Sequence, residues 1–600
     1  MSAEAMKYRA DIDGLRAIAV ISVILAHAGV GAVGGGFLGV DMFFVISGYL
    51  ITTILRRDME AGRYTLLGFY ERRARRILPA LLIIILCCTP FALYLMLPDF
   101  RQNYGQSIVA TLLFSNNILL AMTSGYWELE SAFKPLLHTW SLGVEEQFYV
   151  LFPLLLVLLI RLDKRRQVLA IALIGVASFV ASEYGWRHHP AASFYLLSSR
   201  AWELMVGCLG SYIERKPRAF DPWLSFVSLV LLVGSMCVFD EHTPSPSLYS
   251  AVPVLGTIGV ILFSRPGTLT WRLLSLRPIV FIGLISYSAY LWHQPLFALA
   301  RVASLQPPSG AEMAALSVAT LLLAALSWRF VEVPFRRAAT MPLRRFVPIV
   351  LAGTVLLLAI GMVLHVKQGF PRWTFPNIAH SGDVLFSYNE RIRRYSTGAF
   401  PDNGRANYLL VGNSYGRDAG NLLLEAGVVE NRNLVYVEGY PDTPAGRPVS
   451  AEERRLYATA TMVIVALFDQ DAREVARIGK VLSGLTAAPV VFIGSKNFGY
   501  NINPFGRVPM RDREASHAAV PGEMVRANDA LVRALPAAQY LDLIRLLGTD
   551  GRHIRFFDDA GNPMTPDRRH LTRYGALYLA ARLRERQPAA WRTIETGVAR

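Results

Sequence analysis

The sequence predicts an α-helical multi-span membrane domain followed by an α/β domain with a parallel sheet. The chain of 600 residues is 53% hydrophobic and only 18% charged, whereas soluble proteins carry about 25% charged residues. Apolar segments of transmembrane length recur as far as residue 364. After residue 405, short β-rich runs alternate with helix-length segments. These observations exclude a disordered, fibrous or purely cytosolic chain.

The first domain, residues 8–364, contains about eleven apolar segments that are long enough to cross a bilayer. We predict these spans at residues 12–33, 37–55, 77–97, 141–160, 167–183, 193–213, 223–239, 251–264, 279–300, 311–330 and 346–364. A further apolar stretch at 105–122 contains Ser115, Asn116 and Asn117, and we interpret it as re-entrant or interfacial. No small-residue cleavage site follows the first span, which predicts a retained helix rather than a signal peptide.

Lysine and arginine residues predict the orientation of the spans. The loops 56–76, 161–166 and 331–345 are rich in these residues, and such loops face the cytoplasm. With an odd number of spans, the chain after residue 367 then lies outside. Topology therefore explains the formal net charge of +16, and we do not expect nucleic acid as a partner.

The second domain begins after a polar, irregular segment at 365–405, which we interpret as an extracytoplasmic linker. The predicted strands are NYLLVG (407–412), NLVYVEG (433–439), TMVIVALF (461–468), PVVFIG (489–494) and QYLDL (539–543). Strands separated by helix-length segments form parallel sheets with helices on both faces. We therefore predict an α/β domain over residues 406–600.

The cysteines give no sign of a disulfide framework. All four lie in apolar stretches, and none belongs to a C-x-x-C pair. For the same reason we predict no zinc site, and we expect no other metal site.

The first span carries two ionisable residues, Arg16 and His27, which are costly in hydrocarbon and are therefore candidate functional residues. Eleven positions correspond to about three helical turns and about 16 Å of rise, so both side chains lie on one face. A cation at the cytoplasmic end and a potential general base deeper in the membrane suit a long activated donor whose phosphates bind at the mouth. The alternative is that Arg16 extends to lipid phosphates and His27 is a packing residue.

Further polar residues lie at the ends of predicted spans. FYERRARRILPA contains Arg73 and Arg76 in an R-x-x-R arrangement suited to a phosphate, although cytoplasmic topology alone also favours arginine here. HTWSLGVEEQFY places His138, Glu145 and Glu146 at a span entry, where packing does not explain adjacent glutamates. Weaker candidates are Arg200, Glu203, His293, Glu332 and Arg336.

In the second domain, the first predicted strand runs into Gly412-Asn413-Ser414, and a helix-length segment follows. A serine at such a turn exposes its hydroxyl and brings backbone N–H groups near a developing oxyanion. Close to the C-terminus, Asp567 and His570 are three residues apart, so one turn supplies a base and the carboxylate that orients it. We therefore predict a catalytic triad of Ser414, His570 and Asp567. The alternative for Ser414 alone is a helix N-cap.

Seven motifs of the first domain, taken in order, resemble the membrane acyltransferase-3 family. They are DGLRAIAVISVILAH, GGGFLGVDMFFVISGYLI, FYERRARRILPA, LLHTWSLGVEEQFY, SRAWELMVG, ISYSAYLWHQPL and VEVPFRR, within about residues 8–340. The resemblance implies transfer of an acyl group, usually acetyl, from cytoplasmic acyl-CoA across the membrane. The residues that it implicates are Arg16, His27, Arg73 and Arg76. His138 and Glu145 lie in one of the motifs and are further membrane-site candidates.

Residues 406–586 resemble the SGNH hydrolase family at two motifs, the serine motif and the Asp-x-x-His motif. Asn413 stands where that family commonly has aspartate, and the G-x-N element after the third strand is absent. The expected oxyanion donors are then the backbone N–H groups of Ser414 and Gly439, with Asn497 as a substitute side chain. Loss of one such donor costs about 3 kcal/mol of transition-state stabilisation. The resemblance implies a domain that often follows an acyltransferase-3 region in carbohydrate O-acyltransferases.

These patterns together predict an O-acyltransferase of the bacterial inner membrane, with acetyl as the expected group and acetyl-CoA as donor. The second domain is expected in the periplasm, and the acceptor is expected to be a hydroxyl of an envelope glycan. Lipopolysaccharide O-antigen is the first expectation, with peptidoglycan and exopolysaccharide left open. The alternatives are a transporter or channel with an appended glycan-binding domain, and a membrane-anchored ester hydrolase.

Overall fold

The chain forms two compact units in a computed structural model that describes residues 8–123, 131–214, 216–441, 449–468, 470–548 and 550–597. The first, here called the helical unit, consists of the residues up to Tyr94, Asn103–Arg301 and Pro308–His365. The second, here called the α/β unit, consists of Leu95–Gln102, Val302–Pro307 and the residues from Val366.

The described residues before position 367 are mostly helical, as expected in a membrane, where a helix satisfies its own backbone hydrogen bonds. The α-helices are α1 (Ala10–His27), α2 (Gly39–Glu60), α3 (Leu66–Leu95), α4 (Pro98–Leu112), α5 (Asn116–Thr123), α6 (Thr139–Leu159), α7 (Lys164–His188), α8 (Pro190–Tyr195), α9 (Leu197–Gly210), α10 (Asp221–Val238), α11 (Ala251–Phe263), α12 (Leu269–Leu274), α13 (Arg277–Leu284), α14 (Ser286–Ala303), α15 (Gly310–Ser327), α16 (Val333–Arg336) and α17 (Leu343–Val366).

Seven described helices are long and apolar enough to cross a membrane. They are Gly31–Glu60, Leu66–Leu95, Thr139–Leu159, Lys164–His188, Asp221–Val238, Gly310–Arg336 and Leu343–Val366. The predicted multi-span helical region is thus confirmed. Four predicted spans coincide instead with α1, α9, α11 and α14, so the number of about eleven spans stays a prediction.

The helix α1 is shorter than the first predicted span, which was expected to continue to residue 33. It ends at His27, because Gly29 adopts a left-handed conformation with φ +79° and the chain then forms a 3₁₀-helix over Gly31–Leu38. A Cβ atom at Gly36 would lie 2.1 Å from the carbonyl oxygen of Ser22, so glycine is required for this segment to pack on α1. His27 is therefore the last residue of a helix and not an interior one.

The apolar stretch at 105–122 falls in two helices, α4 and α5, rather than in one. Phe114 lies between them with φ +52°, a left-handed conformation that ends a helix. The backbone N–H of Ser115 donates to the carbonyl of Ala110 at 2.7 Å and closes the last turn. No continuous helix of transmembrane length runs through these described residues, and the re-entrant or interfacial placement stays a prediction.

The α/β unit contains the parallel sheet that the sequence predicts. Its strands are β1 (Ala406–Gly412), β2 (Arg432–Glu438), β3 (Met462–Ala466), β4 (Val490–Ile493) and β6 (Tyr540–Leu541), and a separate antiparallel pair is formed by β5 (His517–Ala519) and β7 (His553–Arg555). The parallel sheet has the order β2-β1-β3-β4-β6. The strand order therefore reverses direction between β1 and β3, and the carboxyl ends of strands at such a reversal form a crevice suited to a ligand.

Both faces of this sheet are buried, which explains why its strands are continuously apolar. Leu410 and Ile464 belong to the core on one face, and Leu409 and Val463 belong to the core on the other. The helices of the unit are α18 (Pro371–Thr374), α19 (Ser387–Glu390), α20 (Ser414–Glu425), α21 (Ala451–Thr459), α22 (Ala472–Ser483), α23 (Gly522–Ala534), α24 (Leu543–Leu547), α25 (Arg573–Arg586) and α26 (Pro588–Thr596).

The segment 365–405 was predicted as a linker, but from Val366 onward it is part of the packed α/β unit. Phe375, Ile378, Val384 and Ile392 lie in its hydrophobic core and are at most 4% exposed. The sequence obscured this packing because these apolar residues follow neither the helical nor the strand period. Short helical turns hold them, so the segment is ordered by burial rather than by a long helix or strand.

Candidate active sites

A cavity in the helical unit brings together four residues that the sequence singled out, three for donor binding and one as a further membrane-site candidate. They are Arg16, Arg73, Arg76 and Glu145. Other polar lining residues are Ser47, Ser141, Tyr149, Ser286, Tyr287 and Tyr290, and the rest of the wall is apolar. Three guanidinium groups and one carboxylate give the cavity a net positive charge, which suits an anionic ligand with an apolar part.

Of the arginines at the start of α3, one pair with the R-x-x-R spacing reaches the cavity. Arg73 and Arg76 are three residues apart, so they lie on one face of the helix. Arg72 turns away and pairs with Asp58 at 3.0 Å. Arg75 also turns away and donates to the backbone carbonyls of Phe335 and Met341 at 3.2 and 2.7 Å. Two of the four arginines are thus cavity residues, and the other two bind groups elsewhere.

The charged lining residues are held by their neighbours. Arg16 forms an ion pair with Asp13 at 3.3 Å, one turn earlier on α1. The guanidinium of Arg73 lies 5.0 Å from the ring centre of Tyr149, a cation–π distance. Glu145 accepts a hydrogen bond from the hydroxyl of Ser47 at 2.8 Å. Such contacts fix charged groups in place before a ligand binds.

His27 does not line this cavity, although the sequence predicted that it and Arg16 serve one donor. Its Nδ1 atom lies 2.9 Å from Nε2 of His293 on α14. His138 lies next to this pair, with its ring centre 5.3 Å from that of His293. The structure therefore groups three histidines that are distant in the sequence, of which His293 was only a weak candidate.

Tyr290 links the cavity to the histidines, and the sequence analysis missed it. It lines the cavity, and its ring centre lies 5.2 Å from His293 and 5.4 Å from His138. Its hydroxyl donates to the backbone carbonyl of His138 at 3.0 Å and lies 2.7 Å from the hydroxyl of Ser141. The available sequence signal for Tyr290 was its position in SYSAYLWHQPL, three residues before His293. That spacing places Tyr290 and His293 on the same face of a helix.

In the α/β unit, Ser414, His570 and Asp567 form a continuous chain of hydrogen bonds. Nε2 of His570 lies 2.8 Å from Oγ of Ser414, and Nδ1 of His570 lies 2.7 Å from Oδ2 of Asp567. The other carboxylate oxygen of Asp567 accepts the backbone N–H groups of Arg569 and His570 at 2.6 and 2.8 Å. This is the geometry in which a carboxylate orients an imidazole that takes a proton from a serine.

The local fold explains why the serine hydroxyl is presented here. Ser414 is the first residue of α20, directly after β1, at the reversal of strand order. The side chain of Asn413 caps the helix by accepting the N–H of Tyr415 at 3.0 Å, so Ser414 is not the N-cap. Gly412 has φ +153°, at the limit of the region that favours glycine, where β1 turns into the helix.

One of the three predicted oxyanion donors, the N–H of Gly439, needs correction. The N–H of Gly439 donates to the carbonyl of Gly412 at 3.0 Å, so this group is already engaged and does not point into a free site. The side-chain oxygen of Asn497 accepts the N–H of Gly499 at 2.9 Å, and donation by its Nδ2 to an oxyanion stays a prediction. The backbone N–H of Ser414 differs from that of Gly439, because the N–H group of the first residue of a helix has no acceptor within the helix.

A buried polar network under the serine was also missed. Asp418 accepts Nζ of Lys496 at 2.6 Å, Nδ2 of Asn389 at 2.6 Å and the N–H of Leu571 at 3.1 Å. It therefore holds the residue that follows His570. The i,i+4 spacing of Ser414 and Asp418 on one helix was a signal for Asp418. No sequence pattern connects it with Lys496, which lies on a different element.

Two carboxyl groups near His570 have shifted pKa values. Burial alone would raise the pKa of Asp567, but its interactions with His570 and with two backbone N–H groups lower it below its usual value. Burial raises the pKa of Asp99 to about 7, even though its carboxylate accepts the N–H of Phe386. The ring of Phe386 meets that of His570 edge-on at 4.9 Å. Asp567 is thus held ionised, which suits the orientation of a neutral imidazole.

Comparisons with known proteins agree with this division of the chain. Residues 9–329 match the model of the acyltransferase domain family named acyltransferase-3. The peptidoglycan O-acetyltransferase OatA of Listeria monocytogenes is 32% identical over 55% of the chain, and the O-acetyltransferase OatA of Staphylococcus aureus is 30% identical over 55%. The chain spans only 56% and 58% of the lengths of these relatives. No solved structure matches it.

The buried pair of Lys496 and Asp418 predicts a measurable loss of stability. Replacing Lys496 by Met leaves the carboxylate of Asp418 buried without its cation, which costs about 3–5 kcal/mol. Thermal unfolding of the full chain in detergent should show this loss, and Lys496→Met combined with Asp418→Asn should recover part of it. The control is Lys480→Met, because Lys480 is exposed on α22. An equal effect of the buried and exposed lysine substitutions would contradict the prediction.

Proposed function

The chain belongs to the acyltransferase-3 family, and on that premise we propose that it is an O-acetyltransferase that acts on an envelope polysaccharide. The acetyl group comes from acetyl-CoA in the cytoplasm and is transferred across the inner membrane to a glycan hydroxyl. The observation that carries this proposal is the hydrogen-bonded chain from Ser414 through His570 to Asp567 in a unit outside the family-matched residues. Such a chain makes and breaks esters.

The cavity of the helical unit is proposed to hold the donor. Acetyl-CoA combines phosphates with a long, thinner arm that carries the acetyl thioester. The phosphates would pair with Arg16, Arg73 and Arg76, since guanidinium groups bind phosphate oxygens with two hydrogen bonds each. His27 would then assist the transfer as a base. Glu145 is proposed to position the arginines and to limit the net positive charge of the cavity.

In the α/β unit, Ser414 is proposed to carry the acetyl group as an ester. Formation of this ester links Oγ to the acetyl carbon as the bond between that carbon and the sulfur of CoA breaks, and the hydroxyl proton passes through Nε2 of His570 to the leaving group. A glycan hydroxyl then attacks the same carbon, its proton passes through His570, and Ser414 is regenerated. The N–H of Ser414 is the proposed oxyanion donor. The overall reaction consumes acetyl-CoA and a hydroxyl, and it yields CoA and an acetyl ester.

The location of the α/β unit outside the inner membrane, in the periplasm, is part of the proposal. Three separate pieces of chain, at the ends of α3, α14 and α17, belong to this one unit. Pieces that fold together lie on one side of a membrane, and these helix ends are the ones that the expected topology places together on the side opposite the arginine-rich loops.

The acceptor is proposed at the level of a cell-envelope polysaccharide. The name of the Listeria relative specifies peptidoglycan, which supports a carbohydrate hydroxyl as the acceptor class. Lipopolysaccharide O-antigen, the first expectation from the sequence, has no such support and is kept as a second acceptor to be tested. A transporter or channel with a glycan-binding domain is not proposed, because it would have no use for the chain of Ser414, His570 and Asp567.

Replacement of the serine tests the function. Cells that express Ser414→Ala should lose the acetyl groups that the wild-type protein adds, because no ester can form on alanine. Mass spectrometry of both peptidoglycan and O-antigen measures the loss and identifies the acceptor. The control is Ser396→Ala, an exposed serine of the same unit. Full glycan acetylation by Ser414→Ala would show that the helical unit acylates sugar directly.

The arrangement of the arginines gives a second test. Arg73→Lys keeps the charge in the cavity but loses the planar fork, so the KM for acetyl-CoA in inverted membrane vesicles should rise about tenfold or more. Arg72→Lys is the matched control, since Arg72 pairs with Asp58 outside the cavity and the KM of this variant should not change. Equal KM values for the two variants would remove Arg73 from the donor site.

A further inference from the structure

In the pair of His27 and His293 in the helical unit, the surroundings determine which ring nitrogen donates the shared hydrogen bond and which accepts it. His293 is completely buried on α14, and its Nδ1 lies 2.5 Å from the backbone carbonyl of Tyr290. A carbonyl oxygen only accepts hydrogen bonds, so Nδ1 of His293 must carry a proton. The remaining nitrogen of this ring, Nε2, lies 2.9 Å from Nδ1 of His27.

The charge state of His293 then decides the direction of the second hydrogen bond. An imidazolium at a fully buried position in apolar surroundings is costly. A second cation, the guanidinium of Arg301, lies close to the pair and donates to the backbone carbonyl of His27 at 2.5 Å. Both effects favour a neutral His293. In a neutral ring with a protonated Nδ1, Nε2 holds a lone pair and accepts.

It follows that Nδ1 of His27 is the donor in the pair. A neutral His27 with a proton on Nδ1 has its lone pair on Nε2. Nε2 has no hydrogen-bond partner among the residues that the structure describes, and His27 is half-buried, so this atom is open to a ligand. The hydrogen bonds therefore form a chain in which Nδ1 of His293 donates to the carbonyl of Tyr290 and Nδ1 of His27 donates to Nε2 of His293. This leaves Nε2 of His27 as the basic nitrogen.

We propose that His293 is a positioning residue that fixes His27 in the tautomer with a basic Nε2. This inference rests on the proposed function, in which His27 acts as a base, and adds the residue that prepares it. The relation is that of a base and the group that orients it, with a second imidazole in place of a carboxylate. A carboxylate would add a negative charge in the membrane, whereas a neutral imidazole supplies the acceptor without one.

The geometry distinguishes this role from packing alone. The two rings are nearly parallel, with 8° between their planes, and their nearest nitrogens are at hydrogen-bond distance. A residue that only filled space would need the size of an imidazole but not its acceptor. His293→Gln keeps an acceptor oxygen close to the place of Nε2, and His293→Leu keeps similar bulk without any acceptor.

The first experiment compares these two substitutions in the full chain. Glycan acetylation by His293→Leu should fall by about 100-fold or more, the usual contribution of general base catalysis, while His293→Gln should retain most of the activity. His189→Leu removes a histidine from an exposed turn and should leave acetylation unchanged. If the leucine and glutamine variants lose activity equally while both remain folded, the acceptor has no role and the proposal is overturned.

The second experiment measures the tautomer itself and needs no activity. Nitrogen-15 NMR of the histidine-labelled protein in lipid reports which ring nitrogen carries a proton, and the signal of His27 is the one lost in His27→Gln. The expected result is a neutral His27 with a proton on Nδ1. A proton on Nε2, in either a neutral or a charged ring, would overturn the inference. His27→Ala with full acetylation would instead overturn the function proposed for His27 and leave the tautomer measurement valid.

Discussion

The high cost of charge in hydrocarbon is the constraint on which the arrangement of the helical unit depends. Its ionisable side chains avoid lipid in two ways. Some pair with one another, as Arg200 does with Asp41 and Glu203 at 3.0 and 3.1 Å, and others face a cavity. Arg16 does both, since it pairs with Asp13 and lines the cavity. In this helix bundle, ion pairing and a cavity suited to an anionic ligand are thus two ways to accommodate charge.

The same constraint explains the division of the proposed reaction between two kinds of site. Binding an anionic donor calls for arginines around an apolar cavity, and a buried base must stay neutral until it acts. Ester exchange with a sugar calls for an ionised carboxylate, which is far less costly in an α/β fold with N–H groups at hand. Asp567 shows this directly, because two backbone N–H groups and His570 hold its carboxylate.

The sequence predicted features that short spacings or recognisable motifs encode, including the pairing of Ser414 with His570, and it failed for other long-range contacts. Strand runs located the sheet, and the three-residue spacings of Arg73 with Arg76 and of Asp567 with His570 placed each pair on one turn. The packing of 365–405 and the pairing of Lys496 with Asp418 depend on neighbours that no periodic pattern encodes. The N–H of Gly439 was assigned to the oxyanion because its engagement by Gly412 depends on how β1 and β2 end together in space.

The central claim is that acetyl from acetyl-CoA becomes attached to Ser414 before it reaches sugar. Inverted membrane vesicles expose the cytoplasmic face, so isotopically labelled acetyl-CoA can be supplied there without any glycan acceptor. Peptide mass spectrometry then locates the label in the protein. The account predicts labelled Ser414 in the wild-type chain and none in a chain with Arg16→Ala. Label that reaches glycan in vesicles prepared with an acceptor enclosed in their lumen, with Ser414 never labelled, would contradict it.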